Sequence, residues 1–181
     1  MLKVLKPGLY LTIQDLGRFG YRDIGVPIAG AMDVESVKKA NLLLENDEND
    51  AVLEITMTGP TLQFDTDTYI SLSGAHIAAT LNNEPIDNYA VVKVEKGDIL
   101  SYGRLEQGFR GYLAVKGGFQ SEKLLNSRSQ FYPVTSKARI KDGEEIPYKL
   151  TISIFGTNDA PEVTEHFEEN TLKVYKGPEF S

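Results

Sequence analysis

Short runs of alternating apolar and polar residues, divided by turn residues, dominate the chain. LKVLK (2–6) and YLTIQ (10–14) flank a Pro-Gly turn, and AVLEITM (51–57) sets Leu53 and Ile55 opposite Glu54 and Thr56. TYISLS (68–73), HIAATLN (76–82), YAVVKVE (89–95), DILSYG (98–103), RGYLAVKG (110–117) and KLTISIF (149–155) continue the series. Gly59-Pro60, Gly74, Asn82-Asn83, Gly97-Asp98 and Gly117-Gly118 punctuate it. Regularly spaced period-two runs with such breaks predict a mainly β sandwich or barrel.

One segment departs from this period. After Asp33, the residues Val34, Val37, Ala40, Asn41 and Leu44 recur on one helical face, so a helix is predicted near 34–45. Asp33 is placed to cap its first-turn amides. Such a helix can cover one end of the sheet system. Near the C-terminus, residues 157–170 hold five acids and no Lys or Arg, with Pro161 against a helix; they read as an acidic linker. Residues 1–156 are therefore expected to form the barrel, and 171–181 to begin another unit.

Composition removes several chemistries. With no cysteine in 181 residues, disulfides, thiolate metal sites and Cys nucleophiles are excluded. Neither a signal-peptide core nor a membrane-length apolar run is present, which predicts a cytoplasmic protein. A net charge of −7 argues against a nucleic-acid partner. The two histidines, His76 and His166, lie ninety residues apart, so no metal site is expected. The chain also has no GxSxG elbow and no GxxxxGK[ST] phosphate loop.

What remains is DLGRFGYRDIGVPIAGAMD (15–33), with four glycines, two arginines and three aspartates in nineteen residues. Glycine serves where φ is positive or where backbones approach closely, so this connection has a set shape. Arg18 and Arg22 bring forked cations suited to carboxylate or phosphate. Whether the segment is a ligand site or a loop closed by its own salt bridges is open from the residues alone. In GFRGYLAVKGGF (108–119), Arg110, Tyr112, Ala114 and Lys116 share one strand face. Taken by itself that strand reads as an ordinary solvated face. Arg128 sits between two serines in NSRSQFY (126–132), a segment able to bind an oxyanion or to make a polar turn. Glu54 lies inside an apolar strand and needs a partner if buried, for which Arg18 is expected.

In order along the chain, TIQDLGRFGYRDIGVPIAGAMD, AVLEITMTGPTLQF, LSGAHIAATLN, KGDILSYG, GFRGYLAVKGGF, LNSRSQF and KVYKGPEF resemble the family of the 5-oxoprolinase C-type subunit. That family takes in allophanate hydrolase subunit 2, urea carboxylase carboxyltransferase domains and an antagonist of a sporulation kinase inhibitor. The resemblance implies a cyclophilin-like β-barrel. It implies work with a B-type subunit, a sister cyclophilin-like protein, and a third, large subunit in an ATP-dependent enzyme that opens 5-oxoproline to glutamate. In the urea carboxylase branch it implies carboxyl transfer from biotin carried on another protein, and in the third branch a regulatory module that sequesters a kinase inhibitor. Family members are longer, so a second half is expected beyond Ser181 and little activity from this chain alone. By the same resemblance Asp15 and Arg18 are the expected catalytic residues. Tyr21, Arg110, Tyr112 and Arg128 are the expected substrate-binding residues, with Arg18 or Arg128 holding a carboxylate and Asp15 orienting an arginine.

Overall fold

A computed structural model describes residues 1–150 and position 163. The strands, in chain order, are β1 (Leu2–Lys6), β2 (Tyr10–Gln14), β3 (Val52–Thr56), β4 (Thr61–Phe64), β5 (Thr68–Leu81), β6 (Glu84–Ile86), β7 (Val91–Val94), β8 (Ile99–Val115) and β9 (Glu145–Ile146). One helix, α1 (Val34–Leu43), stands between β2 and β3 among the described residues. None of these elements is a helix long and apolar enough to cross a membrane.

The strand pairings are all antiparallel and β8 is their hub. Its first part pairs with β4, through Ser101 and Thr61, and its last part pairs with β3, through Leu113 and Leu53. β5 runs beside β8 for most of its length. Consecutive β1 and β2 do not pair; β1 lies between β4 and β9, and β2 lies beside β3. The sheet curls on itself as a half-barrel, the cyclophilin-like form that the resemblance implies.

Two expected breaks are continuous strand. The runs 68–73 and 76–82 merge into β5, and 98–103 and 110–117 merge into β8. Gly74 bends β5 without ending it. Its φ is +74°, and a Cβ there would stand 2.5 Å from the Arg110 carbonyl oxygen, so only glycine lets the two backbones close. β4 is a strand that the expected runs do not include, although its four residues, TLQF, alternate polar and apolar. The expected strand over 149–155 leaves the described residues after Leu150, and the acidic stretch, apart from position 163, and the 171–181 segment lie outside them.

Alternation sends the two faces of β3 and β8 to two different cores, and β2 adds to the first. Leu11, Ile13, Leu53, Ile55, Leu113 and Val115 point into the barrel. On the opposite face Val52, Tyr112 and Ala114 meet Val37, Ala40 and Leu44 of the α1 segment. Burial of Val37 and Leu44 contributes about 1.5–3 kcal/mol each. The face of Arg110, Tyr112 and Ala114 is therefore not the solvated one that the strand suggests by itself, because α1 covers it. Asp33 fixes where α1 starts: its Oδ1 accepts the Ser36 N–H at 3.1 Å and its Oδ2 the Ser36 hydroxyl at 2.7 Å. Lys116 fixes the other end by donating to the Leu44 carbonyl at 2.6 Å, a cation on exposed helix carbonyls.

Candidate functional site

The glycine segment is a closed loop with a stem. The Arg18 N–H donates to the Ile28 carbonyl at 2.7 Å, and the Ala31 N–H to the Asp15 carbonyl at 2.9 Å. A Cβ on Gly30 would stand 2.6 Å from the Leu16 carbonyl carbon and oxygen, so the two sides of the stem touch backbone to backbone. The tip, which includes a 3-10 turn at Arg22–Ile24, is largely exposed.

The start of this loop carries the first cluster, and Asp15 is its hub. Oδ1 accepts from the Gly17 N–H at 2.8 Å, the Ser127 hydroxyl at 2.6 Å and the Ser129 hydroxyl at 2.7 Å. Oδ2 accepts the Arg128 N–H at 2.5 Å. A carboxylate offers roughly four acceptor sites, so this one is saturated by the fold. Ser127 and Ser129 are fully buried in this contact. The Asn126 amide beside them donates to the Tyr21 hydroxyl at 2.9 Å.

Two arginines hang from that hub. Arg18 is fully buried, and its Nη2 donates to the Ser129 carbonyl. Its Nε and Nη1 have no hydrogen-bond partner. Burial lowers the Arg18 pKa from its ordinary value, and the charge of Asp15 acts in the opposite sense. Arg128 donates Nη2 to the Gln120 side-chain oxygen at 2.7 Å and Nη1 to the Ser121 carbonyl. It forms part of the wall of a cleft of about 660 Å³ that Asp15 also borders.

The end of the loop carries a second cluster. Glu54, 6% exposed, accepts from Arg110 Nη1 at 3.0 Å through Oε1. Through Oε2 it accepts from the Tyr112 hydroxyl at 3.0 Å and the Met32 N–H at 2.8 Å. The Tyr112 oxygen in turn accepts the Asp33 N–H at 2.8 Å, and Arg110 also donates to the Thr56 hydroxyl at 2.6 Å. The expected pairing of Arg18 with Glu54 is thus replaced. Register explains why: Glu54 lies opposite Tyr112, and Thr56 opposite Arg110, on the neighbouring strand, while the stem directs Arg18 to Ser129. Burial pushes the Tyr112 phenol well above its ordinary range, and the Glu54 charge adds to it.

Asp15, Arg18, Tyr21 and Arg128 therefore meet around residues 126–129, whereas Arg110 and Tyr112 belong with Glu54 at the far end of the same loop. The sequence does not single out Ser127 and Ser129 as ligands of Asp15, nor Gln120 as the support of Arg128. Their signal is the Ser-Arg-Ser alternation, which sends two hydroxyls one way and the guanidinium the other. Asp47 and Asp50, which line the same cleft as Arg128, carry no such signal.

The chain as a whole has relatives among known proteins. A family model described as carboxyltransferase domain, subdomain A and B, matches residues 24–181. The C-type subunit of Escherichia coli 5-oxoprolinase is 33% identical over 184 residues, covering 99% of this chain and 59% of its own length. The urea amidolyase of Lachancea kluyveri is 42% identical over 130 residues, 71% of this chain and 7% of that protein. The chain thus spans less than two thirds of the length of either relative. Among solved structures, Kluyveromyces lactis urea carboxylase superposes with a TM-score of 0.76 at 38% identity, covering 81% of this chain and 14% of that one.

Proposed function

The chain belongs to the carboxyltransferase domain family of subdomains A and B, and from that premise we propose that it is one component of an ATP-dependent 5-oxoprolinase. In this reading it opens 5-oxoproline to glutamate in the cytoplasm, together with a B-type subunit and a third, large subunit, and is inactive alone. The observation that carries the reading is the similarity to the E. coli C-type subunit along 99% of this chain.

5-Oxoproline offers one carboxylate and one lactam. Arg18 or Arg128 takes the carboxylate: the first keeps two guanidinium nitrogens uncommitted, and the second faces the cleft. Asp15 acts as a positioning residue, since all of its acceptor capacity holds the Ser-Arg-Ser segment and the loop stem. Tyr21 closes one side through Asn126. Arg110 and Tyr112 serve the substrate indirectly, by holding the far end of the loop through Glu54.

Nucleotide is assigned at the level of the complex: the first-turn amides of α1, where a phosphate could sit, are already taken by the Asp33 side chain.

A second reading, the carboxyltransferase component of a biotin-dependent urea carboxylase, is favoured by the 42% identity to the L. kluyveri protein. Biotin would arrive on another protein. ATP hydrolysis by the chain mixed with candidate partner subunits separates the two. Turnover that needs both 5-oxoproline and this chain is the expected result. Stimulation only by urea, bicarbonate and biotin would move the function to carboxyl transfer. Stimulation by neither would leave a regulatory module that sequesters a kinase inhibitor.

A further inference from the structure

The cleft beside Arg128 holds charges of both signs, five of which form no ion pair with one another. Asp47 and Asp50 line it from the turn after α1; Lys123, Arg128 and Lys149 line it from the segments that follow β8. No ion pair within 4 Å joins those acids to those bases among the described residues. They are held apart because each side is anchored to its own backbone. Buried Asn41 donates to the Asp50 carbonyl at 2.8 Å, and the Asp50 N–H donates to the Asp47 carbonyl at 2.9 Å. Across the cleft, Gln120 and Ser121 hold the Arg128 guanidinium. Lys149 is tied through its N–H to the Gly118 carbonyl at 3.2 Å.

The two walls nevertheless share one field. Burial raises the Asp50 carboxyl above its ordinary pKa, while the charges of Lys149 and Arg128 lower it. Of the other charges that line the cleft, Lys116 is paired with Glu45 at 3.9 Å, and Asp15 is taken up by the Ser-Arg-Ser segment and the loop stem. Lys123, Arg128 and Lys149 then stand against Asp47 and Asp50. A ligand that completes this arrangement carries one ammonium and two carboxylates.

We infer that the cleft binds an acyclic amino dicarboxylate, with its ammonium between Asp47 and Asp50 and its carboxylates on Lys123, Arg128 and Lys149. The identity of the ligand rests on the ring-opening reading: glutamate is the product of that reaction. 5-Oxoproline would not satisfy the acidic wall, because its nitrogen is an uncharged amide. The site therefore discriminates product from substrate by the amine that ring opening releases. At about 660 Å³ the cleft has room for a ligand of this size.

The test is calorimetric titration of the whole chain at low ionic strength with L-glutamate, glutarate and 5-oxoproline. Glutarate keeps both carboxylates and lacks the amine. Glutamate is expected to bind at least about tenfold more tightly than either, a difference of about 1.4 kcal/mol. Asp50→Asn and Asp47→Asn should each remove most of that advantage while leaving glutarate binding unchanged or tighter, a pattern that unfolding cannot produce. Lys123→Gln, on an exposed side chain, should weaken glutamate and glutarate alike. Equal affinity for glutamate and glutarate, or no saturation at millimolar glutamate, overturns the inference. If 5-oxoproline turnover needs the chain while glutamate shows no preference, the cleft assignment falls and the ring-opening reading survives. Preferential glutamate binding without any turnover does the reverse.

Discussion

Glu54 and Arg18 are two buried charges with opposite circumstances. Both oxygens of Glu54 are matched by donors from three directions, and the carboxylate ties β3, β8 and the end of the glycine loop together. Glu54→Gln places an amide N–H₂ against either Arg110 or the Met32 N–H, neither of which can accept. A loss of about 1–3 kcal/mol is expected, read as a lower urea midpoint with unchanged slope. Arg18 has one hydrogen bond for a fully buried guanidinium. A charge held so poorly adds little to stability, and replacing buried ions by apolar groups of similar volume is often neutral. Arg18→Met, which removes the charge and keeps most of the buried volume, is therefore expected to abolish turnover by the assembled complex while the urea midpoint moves little. Near-wild-type turnover would remove Arg18 from the site.

At the level of elements, the glycine loop divides into a stem that tolerates no side chain and a tip that has room for one. A Cβ at Gly30 meets the Leu16 backbone, which cannot move without opening the stem. At Gly20 it meets nothing within 4 Å, although φ there is +87°. Gly20→Ala is expected to cost about 1–2 kcal/mol from backbone strain alone, and Gly30→Ala more than that, with loss of the Asp15 cluster. Thermal melts of the two variants check the order; equal melting points would show that the stem is not held by backbone contact. Much of this element structure is legible in the sequence. Period-two runs locate most strands, and Asp33 with Val37, Ala40 and Leu44 locates α1. Gly74 misleads because a glycine that ends a strand and one that bends it look alike until the partner backbone is known. The partner of Glu54 misleads for a similar reason. Strand register, which one sequence does not display, puts Tyr112 beside it and Arg110 within reach. The glycine segment is recognisable as shaped, yet only the folded chain shows that its two ends serve different clusters.

Across the whole molecule, burial makes two tyrosines resist ionisation. Tyr102 and Tyr112 both have their phenols pushed well above the ordinary value of 10.0, and burial is the main cause in each. The folded state keeps these protons while the unfolded state releases them above pH 10, so rising alkalinity favours unfolding. Below pH 10 the effect vanishes. Each phenol should steepen the loss by about 1.4 kcal/mol per pH unit. The Tyr102 hydroxyl is buried without a hydrogen-bond partner, so Tyr102→Phe is expected to be neutral or stabilising at pH 7 and to lessen the alkaline slope. Urea denaturation at pH 9, 10 and 11 measures both; an unchanged slope in Tyr102→Phe would show that this phenol ionises as freely in the folded chain as in the unfolded one. A last consequence follows from where β1 sits. Its neighbours are β4 and β9, and Leu2 faces Ile146. Among the described strands, the first in chain order is thus the last to be enclosed. At roughly 5–20 residues per second, the nascent chain carries the apolar side chains of Leu2 and Val4 for about 7–30 seconds before the strand that finishes their shelter has left the ribosome.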